Sequence, residues 1–161
     1  MSHPMFDCAL LIIDDQPMNV ELLTDLLKRE GFQRIFSSTR AQDTLNLYHQ
    51  VKPDLILLDL LMPELDGFAV LEQLSRHITP NSYLPILVLT ADATRETKHR
   101  ALALGAKDFM TKPFDALEVM LRVTNLLETR LLFMELAKRG IASPIPPQSS
   151  SPQQKTAGNI S

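Results

Sequence analysis

The chain has 161 residues, 45% of them hydrophobic and 22% charged, with a formal net charge of −3. That is room for one globular domain of ordinary size that needs no covalent staples, with some sequence to spare. The slight negative balance argues against a basic face for direct nucleic-acid binding, and the lone cysteine, Cys8, excludes an internal disulfide.

Residues 1–6 read as an N-terminal tail with no secretory signal, and the cytoplasm is the default location. The first apolar run, Ala9–Ile13, stops at Asp14, far too short to span a bilayer, so no membrane partner is expected. Met18–Glu30 follows with Val20, Leu23, Leu26 and Leu27 at helical spacing and ends before Gly31, a good C-terminal breaker. A second short run, Gln33–Ser37, leads to a helical segment over Arg40–Val51. Leu55–Leu58 and Ile86–Leu89 are apolar without alternation, the pattern of strands covered on both faces. Helical segments over Phe68–His77 and Arg95–Leu104 flank the second of these, and a fifth short run occupies Asp108–Met110. A last helix starts after Asp115, a plausible N-cap, and its pattern runs to about Lys138.

Alternating strands and helices of this kind build an α/β domain, a five-stranded parallel sheet with helices on both sides. The domain is expected over 7–126, with 127–140 an extension of the fifth helix and 141–161, rich in Pro, Ser and Gln, a disordered linker or tail. Leu127, Leu131 and Met134 continue an apolar spacing past the point where the sheet needs cover. That stripe predicts exposure and pairing with a second copy, a homodimer through helix five.

Ligands of an open parallel sheet bind at the carboxyl ends of its strands. Here the first run ends in Asp14–Asp15, the third in Asp59 and the fourth in Thr90, while the fifth leads into Lys112–Pro113. Three carboxylates, a hydroxyl and an ammonium thus converge on one rim. Two like charges about 4 Å apart cost about 4 kcal/mol at an effective dielectric of about 20, so the arrangement makes sense if a cation is recruited. An all-oxygen site with room for water suits Mg2+. With the charge offset by the ion and Lys112, Asp59 can act as a nucleophile toward phosphorus. Thr90 can donate a hydrogen bond to an oxygen of the transferring group.

These residues carry a resemblance. Asp14–Asp15, the segment Asp59-Leu-Leu-Met-Pro-Glu-Leu-Asp-Gly67, Thr90–Ala91 and Lys112–Pro113–Phe114 resemble the receiver domains of bacterial two-component response regulators, in the family's order and over roughly Cys8 to Leu126. The resemblance implies a doubly wound, flavodoxin-like sheet of order 2-1-3-4-5 and a cis Lys112–Pro113 bond. It makes Asp59 the phosphoacceptor, a histidine kinase the donor, and Mg2+ the cofactor. Asp15, Asp59 and the backbone carbonyl of Leu61 would hold the ion directly, and Asp14 through a water. Thr90 and Lys112 would hold the phosphoryl group, with Leu61 and Asp92 flanking the path of an attacking water. Thr90 and Phe109 would form a switch that changes the face made by helix four, strand five and helix five, to control an output domain or a downstream protein. The exposed side of helix one, Met18–Leu27, would help choose the kinase. The opening Asp14-Asp-Gln-Pro-Met-Asn19 and the long last helix are similar to regulators of cyclic-di-GMP turnover.

Plainer readings exist for each residue alone. Asp14–Asp15 could cap the first helix, Met62–Gly67 could be only a turn, Thr90 a loop hydroxyl, Lys112 a solvated lysine and Phe109 core. His3, His49, His77 and His99 lack metal-ligand spacing and read as surface residues. An aspartyl phosphatase of the haloacid dehalogenase type needs a second carboxylate two residues after the first, where this chain has Leu61. A phosphate-binding loop is absent, and a flavin binder has no use for an acidic triad. The competing class is a receiver-like scaffold that works without phosphorylation.

Overall fold

The computed structural model describes residues 4–63, 65–79 and 82–140. The expected tail over 141–161, residues 1–3 and His3 among them lie outside these. Five strands, β1 (Ala9–Ile13), β2 (Arg34–Ser38), β3 (Leu55–Asp59), β4 (Ile86–Thr90) and β5 (Asp108–Thr111), form one parallel sheet of order 2-1-3-4-5. The helices are α1 (Pro17–Glu30), α2 (Thr44–Val51), α3 (Gly67–His77), α4 (Arg95–Ala103) and α5 (Ala116–Lys138). The α/β architecture read from the sequence is the one observed.

Side chains of β1, β3 and β4 alternate between two cores. Leu10, Ile12, Leu55, Leu57, Leu87 and Leu89 meet α1 and α5 through Leu23, Leu27, Val119 and Val123. Leu11, Ile13, Ile56, Leu58, Ile86 and Val88 meet α3 and α4 through Val70, Leu71, Leu74 and Ala101. Every residue of β1, β3 and β4 is buried, which is why these strands lack alternation in the sequence. β2, at the sheet edge, is largely exposed.

The second helix departs from expectation at its start. Ala41–Asp43 is a turn of 3-10 helix, and the α-helix begins only at Thr44. Two local bonds favour the tighter turn: buried Thr44 Oγ1 donates to Ala41 O, and Ser38 Oγ donates to Asp43.

The apolar stripe on α5 is a correction. Leu127 is fully buried, and Leu131 and Met134 are half-buried, with Leu131 packed on the core beside α1. A 3-10 turn over Pro4–Asp7, which begins inside the expected tail, brings Met5 into that same core. Phe133 is buried near the Tyr83 ring, with centroids 6.1 Å apart. Arg130 pairs with Asp54 at 3.2 Å and donates to the carbonyls of Ser82 and Tyr83. Asp54 in turn accepts from Ala9 N at 2.9 Å. About two turns of helix beyond Leu126, through Met134, are therefore docked at the amino end of the sheet. Replacing Phe133 with alanine is expected to lower the unfolding free energy by about 3 kcal/mol in urea melts. A loss below about 0.5 kcal/mol, the range of neutral surface changes, would show the extension to be dispensable to the fold.

Candidate functional site

Parallel pairing places the ends of β1, β3, β4 and β5 on one edge, in step: Ile13 lies opposite Leu58, Asp59 opposite Leu89 and Thr90 opposite Thr111. The chain then holds Asp14 by its N–H to Ser38 O at 3.3 Å and Lys112 by its N–H to Thr90 O at 2.8 Å. The Lys112–Pro113 peptide bond is cis, as the resemblance implied.

The expected carboxylates come together. Asp14 and Asp59 are fully buried and Asp15 half-buried, with one oxygen from each lying within 4.8 Å of the others. Lys112 reaches between the two buried acids, its Nζ 3.0 Å from Asp14 Oδ2 and 3.2 Å from Asp59 Oδ2. Apart from that ion pairing, neither Oδ2 finds a hydrogen-bond donor among the described residues. Asp14 Oδ1 accepts from Gln16 N at 2.9 Å, and Asp59 Oδ1 accepts from Leu61 N at 3.1 Å. Helix α1 is entered through Gln16 with no side-chain cap, so Asp14 and Asp15 are not its caps.

Burial, with Asp14 alongside, pushes the Asp59 carboxyl up from 3.8 to about 7, against the opposing pull of the Leu61 N–H and the Lys112 ammonium. One ammonium thus stands against three carboxylates, two of which hold a buried oxygen with no donor but that ammonium among the described residues. Such a donor set, hard oxygens with spare lone pairs and excess negative charge, fits a divalent cation of the Mg2+ kind. The residues for it are Asp14, Asp15 and Asp59.

The loop after β3 is closed by a contact the sequence did not reveal. Asp66 caps α3 by accepting from Phe68 N at 3.0 Å, and a bridge joins Leu61 to Asp66. At Gly67 a Cβ would lie 2.2 Å from Leu60 O and 2.4 Å from Leu60 Cα. Only glycine lets the helix start so close to the strand end that carries Asp59. The Asp-Gly pair suggested a turn, but a close approach between backbones has no sequence signal of its own.

Thr90 is buried, and its hydroxyl is engaged by the next loop. Asp92 N donates to Thr90 Oγ1 at 2.9 Å, and the hydroxyl faces Asp92 O at a long 3.4 Å. The Asp92 carboxylate accepts from Thr94 N at 3.0 Å and Thr97 Oγ1 at 2.8 Å, bonds that hold it below the usual carboxylate range. Phe109 is half-buried, with Lys98 Nζ 4.6 Å above its ring. Neither Thr97 nor Lys98 was picked out from the sequence. The pair Thr94 and Thr97, a capping residue and the N–H donor it accepts from three positions on, was the available signal. His49, His77 and His99 are exposed, and the three carboxylates are the one metal-compatible cluster among the described residues.

Comparison with known proteins bears on this rim. The family model for the response regulator receiver domain matches residues 10–124. Response regulator GtcR of Aneurinibacillus migulanus is 36% identical over 135 residues, 84% of this chain and 54% of the relative. The alkaline phosphatase synthesis transcriptional regulatory protein PhoP of Bacillus subtilis is 39% identical over 118 residues, 73% of this chain and 48% of PhoP. This chain thus spans about half the length of these relatives. A putative response regulator of Chloroflexus aurantiacus superposes with a TM-score of 0.69 at 30% identity, covering 76% of this chain and 98% of that one. Among the described residues no helix is long and apolar enough to cross a membrane.

Proposed function

The chain belongs to the response regulator receiver domain family, and from that membership we propose that it accepts a phosphoryl group on Asp59 from a phosphohistidine of a histidine kinase. The observation that carries the proposal is the pairing of buried Asp59 and Asp14 through Lys112, with both Oδ2 atoms otherwise without a donor. In the reaction a carboxylate oxygen of Asp59 attacks phosphorus, the P–N bond breaks, and the kinase imidazole leaves with its electron pair. Asp59 becomes an acyl phosphate.

Each residue has a task in that step. Lys112, held at the end of the cis bond, offsets charge on Asp59 before attack and on a phosphoryl oxygen after it. Thr90 turns its hydroxyl to a second phosphoryl oxygen. Asp14, Asp15, Asp59 and the backbone carbonyl of Leu61 are the residues to hold Mg2+, whose charge favours ionised Asp59 and complements the phosphoryl oxygens. The Leu61 N–H fixes the Asp59 carboxylate, and Leu61 and Asp92 border the approach of a hydrolysing water. The chain's own chemistry is limited to this transfer and to slow hydrolysis of its product, so the protein is a signalling component rather than an enzyme acting on external substrates.

Recognition and output are part of the same proposal. Met18 and Leu22 on α1, with Leu61 and Leu65 on the β3–α3 loop, are exposed large apolar residues that suit a docking kinase. Phosphorylation moves Thr90, lets Phe109 turn inward, and thereby changes the face formed by α4, β5 and α5. Leu102, Leu117 and Leu121 are exposed on those helices, and a homodimer through α5 would use them in place of the buried Leu127 stripe. The receiver itself works in the cytoplasm without binding nucleic acid. Its output lies in a further domain or a separate protein, of which transcriptional control and cyclic-di-GMP control are the two classes proposed.

Intact mass after incubation with Mg2+ and acetyl phosphate tests the central step. Wild type is expected to gain one phosphoryl group only when Mg2+ is present, and Asp59→Asn to gain none. Wild type that stays unmodified with acetyl phosphate and with histidine kinases alike would leave a phosphorylation-independent scaffold as the better reading.

A further inference from the structure

A threonine hydroxyl has one hydrogen to give, and the resting fold already employs the Thr90 hydroxyl. It accepts from Asp92 N and faces Asp92 O, while the side chain of Asp92 is held by the first turn of α4, through Thr94 N and Thr97 Oγ1. We propose that Asp92 is a positioning residue that keeps Thr90 off the phosphoryl site and ties its release to the first turn of α4 through the Thr97 hydroxyl. This rests on the reading of Asp59 as acceptor.

The weights of the contacts favour a latch rather than an incidental cap. The bond that Thr90 would surrender as donor is long, 3.4 Å, and therefore weak, whereas the Asp92–Thr97 bond is short, 2.8 Å, and made to a charged acceptor. Movement of the 90–94 loop is thus opposed mainly at Thr97. Helix α4 has a small apolar anchor: Ala101 is its one buried residue, where α3 buries Gly67, Val70, Leu71 and Leu74, and its other holds are polar, Arg100 lying 4.0 Å over the Phe68 ring and Leu104 O accepting from Ser75 Oγ. A helix with so small an apolar anchor is positioned by its polar tethers, and removing one shifts its equilibrium noticeably. The next residue, Lys98, lies over the Phe109 ring. Displacing the first turn therefore also uncovers the aromatic residue of the proposed switch. One hydroxyl at position 97 couples the site to both.

In two-state terms, the phosphorylation-competent population sets the observed rate, so loss of a tether present only in the resting state raises that rate. The test is the rate of phosphoryl incorporation from acetyl phosphate at saturating Mg2+ in the wild-type chain, Thr97→Val and Thr97→Ser. Valine keeps the shape and removes the hydroxyl, while serine restores it. Thr97→Val is expected to react about tenfold faster or more, the low end of the scale of one hydrogen bond to a charged group, with Thr97→Ser within twofold of wild type. Amide hydrogen exchange of α4 in the unphosphorylated valine variant should rise toward that of the phosphorylated wild type. Thr97→Ala carries the same comparison if the valine variant does not fold. Equal rates in wild type and both variants would overturn the latch while leaving the acceptor reading intact. Wild type that takes no phosphoryl group at all overturns the acceptor reading, and the latch with it.

Discussion

Lys112→Met is expected to destabilise the protein by about 3 kcal/mol at pH 8 and to do so much less at pH 5, because it strips two buried carboxylates of their one cation. The ammonium lies 3.0 and 3.2 Å from Asp14 and Asp59, and both oxygens it faces are buried. The pH dependence follows from Asp59, whose carboxyl is raised in the folded state to about 7 from 3.8. Between those two values the folded protein binds more protons than the unfolded chain, so stability falls as pH rises through the window and levels off above it. That direction is opposite to the usual behaviour of a paired aspartate. Lys112 opposes the rise, so its loss moves the upper end of the window to higher pH and makes the fall larger. The double variant Lys112→Met with Asp59→Asn should recover part of the lost stability, since the amide needs no counterion while buried Asp14 still lacks one. Urea melts at pH 5 and pH 8, without and with Mg2+, measure all of this. A Lys112→Met penalty that is the same at both pH values would show the lysine to be held by packing rather than by charge.

The second large effect is at Gly67. Alanine normally stabilises a helix relative to glycine by about 1 kcal/mol, so on propensity alone Gly67→Ala is a gain. The Cβ, however, would sit 2.2 Å from Leu60 O, 2.4 Å from its Cα and 2.6 Å from its carbonyl carbon. These are backbone atoms of a buried residue directly after β3, with its N–H on Leu89 O at 3.0 Å. They cannot swing aside as a side chain can. The clash wins, and a net loss of about 2–3 kcal/mol is expected. Because Leu61 N is the donor that orients Asp59, the same shift should slow phosphorylation by at least about tenfold, the cost of a small misplacement near the chemistry. A variant as stable and as reactive as wild type would mean that the β3–α3 loop relaxes without disturbing the rim. These measurements separate the two roles of the glycine, since stability reports the clash and rate reports the loop.

How much of this was legible in the sequence varies with the range of the interaction. β3 and β4 stood out because a strand covered on both faces must be apolar at every position, and Leu55–Leu58 and Ile86–Leu89 are; β1 is buried in the same way. Asp14, Asp15, Asp59, Thr90 and Lys112 could be placed on one rim because parallel strands deliver their carboxyl ends to a single edge. The fifth helix was read correctly as long and wrongly as free. Leu127, Leu131 and Met134 have the spacing of a pairing stripe, but what covers such a stripe depends on distant segments. Here Met5, Asp54 and Tyr83 supply the cover or the anchoring contacts.

The strand and helix order, the parallel sheet and the set of residues at its carboxyl edge could be read along the chain, because those follow from local periodicity and from the direction of each strand. Which partners the polar atoms take emerged only with packing: Lys112 between Asp14 and Asp59, Thr90 on Asp92, Asp92 on Thr97, and Arg130 on Asp54. Hydrogen bonds and ion pairs act over about 3 Å, and no pattern along the chain encodes a separation that small, whether the partners lie far apart in sequence, as Lys112 and Asp14 do, or within one loop, as Thr90 and Asp92 do. The burial that raises Asp59 is of the same kind, a property of the packed sheet and its helices rather than of the letters around it.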